Sequence, residues 1–271
     1  MGNPWKKMTL EDGKTFDGQK EKGSYGDMIA LKCEILWNII KKYLPDDRTV
    51  PILDLGGGTG VWSIRLALEG YSAILTDISP GILERAKEKI DKESLSDKII
   101  IEQADICNLK KYKESSFLLV LASGDPLSYC DNAKKALEEI RRITKESGVL
   151  IGEVENRYKM FDGRRASSWE DAKRILNEGT AFWPDKKNPA PIRQFSPSEL
   201  ENLLVATGWQ LIDMQPSHLI FSLLEREILQ QGLASKEGFK EMVVLEEKLR
   251  KDKHLLGCGF EIQFIARKAI G

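Results

Sequence analysis

The chain is poor in the residues that most often announce hydrolytic or metal chemistry. It has two histidines and four cysteines in 271 residues. Cys33, Cys107, Cys130 and Cys258 are scattered with no C-x-x-C pair, which argues against a zinc site or a disulfide framework and implies reduced thiols. A G-x-S-x-G nucleophile elbow is absent. No apolar run approaches the roughly 20 residues that span a bilayer, and the opening Met-Gly-Asn-Pro-Trp-Lys-Lys has no secretory apolar core, so the expected setting is cytoplasmic with no membrane partner. An excess of one charge is absent too. Lys and Arg number 41 against 42 Asp and Glu, and this balance predicts no broad attraction to nucleic acid.

What is present is ordinary globular composition, 41% hydrophobic and 31% charged, in a chain long enough for a well-buried core. Residues 1–27 are polar and glycine-rich and read as an N-terminal arm or cap. Apolar residues at helical spacing then predict a helix from Met28 to Tyr43. Strands at Ile52–Leu55, Ser72–Asp77, Lys98–Gln103, Phe117–Ala122 and Val149–Val154 alternate with helices at Thr59–Leu68, Pro80–Ile90 and Asn132–Lys145. Ser79-Pro80 supplies a capping side chain and a first-turn proline. This alternation predicts a doubly wound α/β fold around a mostly parallel sheet.

The rhythm breaks over about 157–195, where a helix near Ser168–Asn177 precedes a proline-bearing segment with Phe182, Trp183 and Pro184. It resumes at Phe195-Ser196-Pro197, which opens a helix ended by Gly208. Trp209–Ile212 and His218–Leu223 read as strand, Glu225–Arg250 as helical, and Phe260–Ala266 as a closing strand. One domain over 28–271, carrying lid insertions at about 157–195 and 223–256, accounts for the pattern.

Ligands of open α/β sheets sit beyond the carboxyl ends of the strands, so the residues there are read together. Asp54 ends the first strand and Gly56, Gly57, Gly58 and Gly60 follow it, a loop whose backbone can approach a ligand closely. A carboxylate at this position repels a pyrophosphate and attracts an amine or a sulfonium. The dinucleotide fingerprint G-x-G-x-x-G fails, because its third glycine falls on Val61 or Ser63. Asp77 ends the second strand, well placed to accept from two ribose hydroxyls. Asp105 could accept from an adenine amine while Ile106 packs on the ring. Loop capping is the alternative for both.

With these residues the chain resembles the class I S-adenosylmethionine-dependent methyltransferases, from about Met28 onward. The resemblance implies a seven-stranded, mostly parallel, Rossmann-like sheet with an antiparallel last strand and helical insertions. It implies S-adenosyl-L-methionine as cofactor and S-adenosyl-L-homocysteine as product. By it, Gly56 and Gly58 line the methionine part, Asp77 the ribose, Ile78, Asp105 and Ile106 the adenine, and Ser123 and Gly124 the amino end. Tyr25 falls where the family often has a residue near the cofactor's carboxylate, with plain packing as the alternative.

A sulfonium already activates its methyl group, so transfer mainly requires positioning and a water-poor pocket. No particular catalytic residue is implied. Candidates to meet a substrate are Tyr129 beyond the fourth strand and Asn156 and Arg157 beyond the fifth, with turn chemistry as the equal alternative, and His218, which reads first as a structural histidine. Arg164-Arg165 and Lys186-Lys187 with Trp183 read as a charged lid face, without the basic-aromatic interleaving that phosphate backbones need. The expected activity is in-line methyl transfer to a small-molecule acceptor, with no nucleic-acid partner. An NAD(P)-dependent oxidoreductase, a non-catalytic S-adenosylmethionine-binding module and transfer of a different group from a related sulfonium compound stand as alternatives.

Overall fold

Short runs of β-branched and leucine residues, closed by acids, glycines or prolines, supply the strands of one central sheet. The computed structural model describes residues 3–20, 23–159, 166, 168–182 and 190–269, with residues 20 and 23–25 described by their backbone alone. A 3-10 turn at Pro4–Lys7 leads to α1 (Leu10–Lys20) and α2 (Gly23–Ile40). Two βαβ units follow: β1 (Ile52–Leu55), α3 (Val61–Leu68), β2 (Ala73–Asp77), α4 (Pro80–Lys92) and β3 (Ile99–Gln103). Beyond them come β4 (Phe117–Ala122), α5 (Pro126–Tyr129), α6 (Ala133–Ile143) and β5 (Thr144–Glu155). The first insertion holds α7 (Trp169–Glu178) and a hairpin of β6 (Thr180–Phe182) and β7 (Pro191–Arg193). Then α8 (Pro197–Ala206), β8 (Trp209–Ser217), α9 (Leu219–Leu223), α10 (Arg226–Leu233), α11 (Lys236–Leu249) and β9 (Glu261–Lys268) complete the order.

The seven-stranded sheet runs β3-β2-β1-β4-β5-β9-β8, with β9 antiparallel to both neighbours and the other pairs parallel. Alternate residues of each strand face opposite layers. Leu53, Val120, Leu150 and Phe264 pack with Leu137, Leu204 and Trp209 on one face. On the other, Ile52, Leu121, Ile151 and Ile265 meet Leu36, Trp37 and Leu66 of α2 and α3. The chain order reverses between β1 and β4, and at such a switch point the diverging crossovers leave a crevice at the carboxyl edge. Among the described residues no helix is long and apolar enough to cross a membrane.

Several sequence expectations shift. Residues 4–20, expected as an arm or a cap, form a turn and a helix, and α1 lies across α4. Asp17, 6% exposed, holds them together by accepting from Thr59 Oγ1 at 2.7 Å, Arg85 Nε at 2.8 Å and Lys89 Nζ at 3.1 Å. Burial pushes its carboxyl up, but Thr59, Lys89 and Arg85 together hold it below the ordinary range. Replacing Asp17 with alanine should free α1, seen as a rise of about tenfold in the rate of trypsin cleavage within residues 3–20, since a tenfold change in opening needs only about 1.4 kcal/mol. An unchanged cleavage rate would show that α1 is held by other contacts.

His218–Leu223, expected as strand, is instead a left-handed residue followed by α9. His218 takes φ 59°, and the Glu246 carboxylate accepts from Leu219 N at 2.8 Å and Ile220 N at 2.7 Å, which favours a helical start over a strand ladder. A short apolar run carries no periodicity that separates the two outcomes. The stretch Glu225–Arg250 is two helices, because Ser235 caps a new one by accepting from Gly238 N. The fifth strand starts earlier than Val149, at Thr144. In the first insertion Ile175, Ala181 and Ile192 form a small core against Trp5 and Tyr129. Arg164, Arg165, Trp183, Lys186 and Lys187 lie outside the described residues.

Candidate functional site

A cavity of about 610 Å³ opens beyond the carboxyl ends of β1, β2 and β4, within the range of roughly 300–1,000 Å³ typical of small-molecule sites. Its floor is the turn after β1. Gly56 has φ 63° and passes so close to α5 that a Cβ there would lie 2.7 Å from Pro126 Cβ. Gly58, at φ 57°, would project a Cβ into open cavity, so its bareness leaves room for a ligand rather than for protein. Asp77 Oδ2 accepts from Gly58 N at 3.2 Å and Oδ1 from Ser79 N at 2.9 Å, which fixes the carboxylate on the wall. Burial raises its pKa against the pull of those backbone donors.

Gly56, Gly57, Gly58, Asp77, Ile78, Asp105, Ile106, Ser123, Gly124, Tyr129 and His218 all line this cavity. Asp105 Oδ1 also accepts from Cys107 N at 2.8 Å, so the capping role exists alongside exposure to the cavity. Ser123 Oγ donates to Glu153, and Gly124 N donates to the same Oε2 at 3.1 Å. Tyr129 donates its hydroxyl to Glu155 at 2.8 Å and packs against Trp5 with centroids 4.7 Å apart and the rings tilted by 43°. The N-terminal turn thereby covers the cavity.

Four expected site residues lie elsewhere. Asp54 is fully buried beneath the glycine turn, accepting from Ser63 N at 3.1 Å and Ser63 Oγ at 2.7 Å; it secures the start of α3 rather than facing a ligand. Gly60 likewise forms the left-handed entry to α3. Asn156 is buried and donates to Gly259 O at 2.8 Å, which anchors the segment leading into β9. Arg157 is ion-paired to Glu199 and donates to Gln194 O at 3.3 Å, tying the end of β5 to α8. Tyr25 sits in the first turns of α2, and its side chain is outside the described residues.

Burial pushes the Asp54 carboxyl up to about 6, outweighing the two hydrogen bonds from Ser63. A raised acid pKa means that the native state holds the proton more tightly than the unfolded chain. Its contribution to stability is complete below pH 3.8 and is lost as the pH rises through about 6. The loss is on the order of 3 kcal/mol at 1.36 kcal/mol per unit. Asp54→Asn should therefore gain on the wild type by about that much between about pH 4 and about pH 7 in urea unfolding. A constant difference across that range would overturn the assignment.

The sequence reading passed over a buried ionic network on the opposite wall. Lys32, from α2, pairs with Glu261 at 2.6 Å and Glu153 at 3.0 Å. Gln263 Nε2 donates to Glu153 at 3.3 Å, and Gln263 Oε1 accepts from Arg250. His218 Nδ1 lies 3.5 Å from Glu261, and its ring faces Phe260 edge-on. Burial lowers the affinity of Lys32 for its proton, yet Glu153 and Glu261 hold its pKa well above the ordinary value. The signal was available in part: Glu153 and Glu155 interrupt an apolar strand, and Glu261 and Gln263 alternate with Phe260, Ile262 and Phe264. Polar groups inside a buried strand need partners.

A family model described as a methyltransferase domain matches residues 52–148. The tRNA 5-carboxymethoxyuridine methyltransferase of Escherichia coli is 24% identical over 270 residues, covering 94% of this chain and 96% of that protein. The demethylmenaquinone methyltransferase of Leptospira interrogans is 33% identical over 111 residues, or 39% of this chain and 44% of that one. An S-adenosylmethionine-dependent methyltransferase from Mesorhizobium loti superposes with a TM-score of 0.58 at 21% identity, over 86% and 97% of the two chains, and shares the fold. The glycine turn, the strand-end acids, the sheet order with its antiparallel last strand and these matches agree, and they leave no support for the oxidoreductase alternative. Residues 52–148 therefore form a methyltransferase domain of the class I, S-adenosylmethionine-dependent kind, whose cosubstrate is S-adenosylmethionine.

Proposed function

We propose that the cavity holds S-adenosylmethionine along the Gly56–Gly58 turn and carries its methyl group to a small-molecule acceptor bound toward Tyr129, His218 and Phe260. The observation that supports this most is the bare wall at Gly58, beside a carboxylate already oriented at Asp77. Asp77 would accept from the ribose hydroxyls, Ile78, Asp105 and Ile106 would hold the adenine, and Ser123 and Gly124 would meet the amino end. Asp54 and Gly60 support the turn from below. The cofactor supplies an electrophilic methyl on a sulfonium. The chain's own residues then need only to bind, align the acceptor and exclude water, and Trp5 and Tyr129 roof the site for that purpose. Residues 28–271 would form the methyltransferase domain and the preceding segment its cap. The dispersed cysteines, with no C-x-x-C pair, fit a cytoplasmic setting.

Calorimetry with S-adenosylhomocysteine tests the cofactor site, and no binding to folded protein would overturn it. The full-length similarity to an enzyme named for a tRNA nucleoside favours a second reading, in which the acceptor is a modified base of RNA. Methyl-labelled cofactor incubated in parallel with pooled metabolites and with bulk tRNA separates the two. Label in the small-molecule fraction is the expected result. Label confined to RNA would replace the small-molecule reading.

A further inference from the structure

The turn that closes β4 is held from behind. Gly124 and Asp125 are consecutive left-handed residues, at φ 80° and φ 65°, and such backbone persists where its surroundings over-determine it, above all at a residue with a Cβ. One carboxylate supplies much of that hold. Ala122 lies beside Gly152 in the parallel register of β4 and β5, which brings Glu153 alongside Ser123. Glu153 Oε2 accepts there from Ser123 Oγ and, at 3.1 Å, from Gly124 N.

Glu153 acts from outside the cavity. It is fully buried, and among the described residues it is not part of the cavity wall, whereas Ser123 and Gly124 are. Its own orientation is fixed from the far side: Lys32 Nζ lies 3.0 Å from Oε2, and Gln263 Nε2 donates to Oε1 at 3.3 Å. Partners on both oxygens, drawn from α2, β4 and β9, hold the side chain in one orientation. The turn takes its polarity from this. Once the Ser123 hydroxyl proton and the Gly124 amide proton are committed to Glu153, the hydroxyl and carbonyl oxygens of the turn are left as acceptors. A Cβ on Gly124 would meet nothing within 4 Å, so a ligand has room to approach them.

We infer that Glu153 is a positioning residue for the amino end of S-adenosylmethionine: without touching the cofactor, it draws two donors of the Ser123–Gly124 turn away from the cavity and so presents acceptors to an ammonium. The inference rests on the cofactor reading above and adds to it the group that sets the turn. Reach matters here more than charge, because the hold depends on an oxygen placed at hydrogen-bond distance from Ser123 and Gly124.

5′-Methylthioadenosine shares the adenine, ribose and sulfur of S-adenosylhomocysteine and lacks its amino end, so calorimetry with both ligands separates lost positioning from a general loss of fold. Glu153→Asp keeps a charge for Lys32 but withdraws the acceptor by one C–C bond, roughly 1.5 Å. Glu153→Gln gives up the charge and keeps an oxygen at full reach. Glu153→Asp should bind S-adenosylhomocysteine at least about tenfold more weakly than the wild type, or about 1.4 kcal/mol, with 5′-methylthioadenosine affinity within about twofold. Glu153→Gln should stay within about threefold for both ligands. Ser123→Ala removes one of the two bonds from the other end and should show a smaller loss confined to S-adenosylhomocysteine, which keeps the test open should Glu153→Asp not fold. A merely structural role predicts equal losses for the two ligands, and an electrostatic one predicts Glu153→Gln to be the weaker variant. Either result would overturn the inference, as would unchanged S-adenosylhomocysteine affinity in Glu153→Asp, or in Ser123→Ala where the former does not fold. If the wild type binds 5′-methylthioadenosine too weakly to measure, the order of the two Glu153 variants toward S-adenosylhomocysteine decides alone. Failure of S-adenosylhomocysteine to bind the wild type, or to bind it more tightly than 5′-methylthioadenosine does, would instead sink the underlying reading of the cofactor site.

Discussion

Replacing Asp77 with alanine should weaken S-adenosylhomocysteine binding by about a hundredfold, measured by calorimetry at neutral pH. A hundredfold is about 2.7 kcal/mol, within reach of hydrogen bonds to a charged group at about 1.5–3 kcal/mol each. Asp77 is half-buried, with Gly58 N and Ser79 N occupying one acceptor position on each oxygen. A carboxylate offers about four acceptor positions, so two remain on the cavity side. Burial raises the pKa of this group, and neutralising it on acidification should weaken binding in the wild type but not in the variant. The melting temperature of the free protein controls for collapse of the turn. Unchanged affinity would remove Asp77 from the ribose.

The other large effect falls on stability. Lys32→Met should cost about 3–5 kcal/mol in urea unfolding, because removing one partner of a buried ion pair leaves the others uncompensated. Glu153 is fully buried and, among the described residues, keeps only Ser123, Gly124 and Gln263 as donors once the ammonium is gone. Glu261 would lose its contact at 2.6 Å while still facing Glu155 across the strands. Glu153→Gln in the same chain should recover part of the loss, because an amide there carries no charge. The non-additivity expected of residues in contact is about 0.5–3 kcal/mol. A loss below about 1 kcal/mol in the single variant would show that water reaches this network and screens it.

Lys32 also shows how the second insertion and the sheet depend on one another. The residue comes from α2, its partners from β5 and β9, and Arg250 at the end of α11 reaches the same chain of bonds through Gln263. Glu246, one turn earlier on α11, holds the start of α9 and with it His218. The second insertion is thus fastened to the cavity wall by two buried polar contacts, beside the apolar cluster of Leu31, Ile35, Ile220, Leu229 and Met242.

Local physics made the first half of the fold legible from residues alone. β1 and β4 have the predicted limits, and Ser79-Pro80 and Ser196-Pro197 open helices as their capping chemistry requires. The glycine turn and Asp77 were legible for the same reason, since a strand end, a bare turn and a second strand end lie within a few dozen residues of one another. Asp54 shows the limit of that reasoning. Its place in the motif was plain, but only the packing of α3 decides that its carboxylate turns inward to Ser63 instead of outward to a ligand. Asn156 and Arg157 repeat the lesson, drawn away from the cavity by Gly259 and Glu199, which lie far off in sequence.

Residue order alone therefore determined the alternation of strand and helix in the first half and the bare turn with its strand-end acids, because each depends on short-range periodicity and on backbone freedom within one turn, while the seven-stranded sheet and the cofactor followed from the family resemblance that those residues carry. The buried ionic network of the cavity wall was decided by tertiary structure. Lys32, Glu153, Glu261 and Gln263 carry no common motif, and their pairing exists only once α2, β5 and β9 are brought together around one cavity.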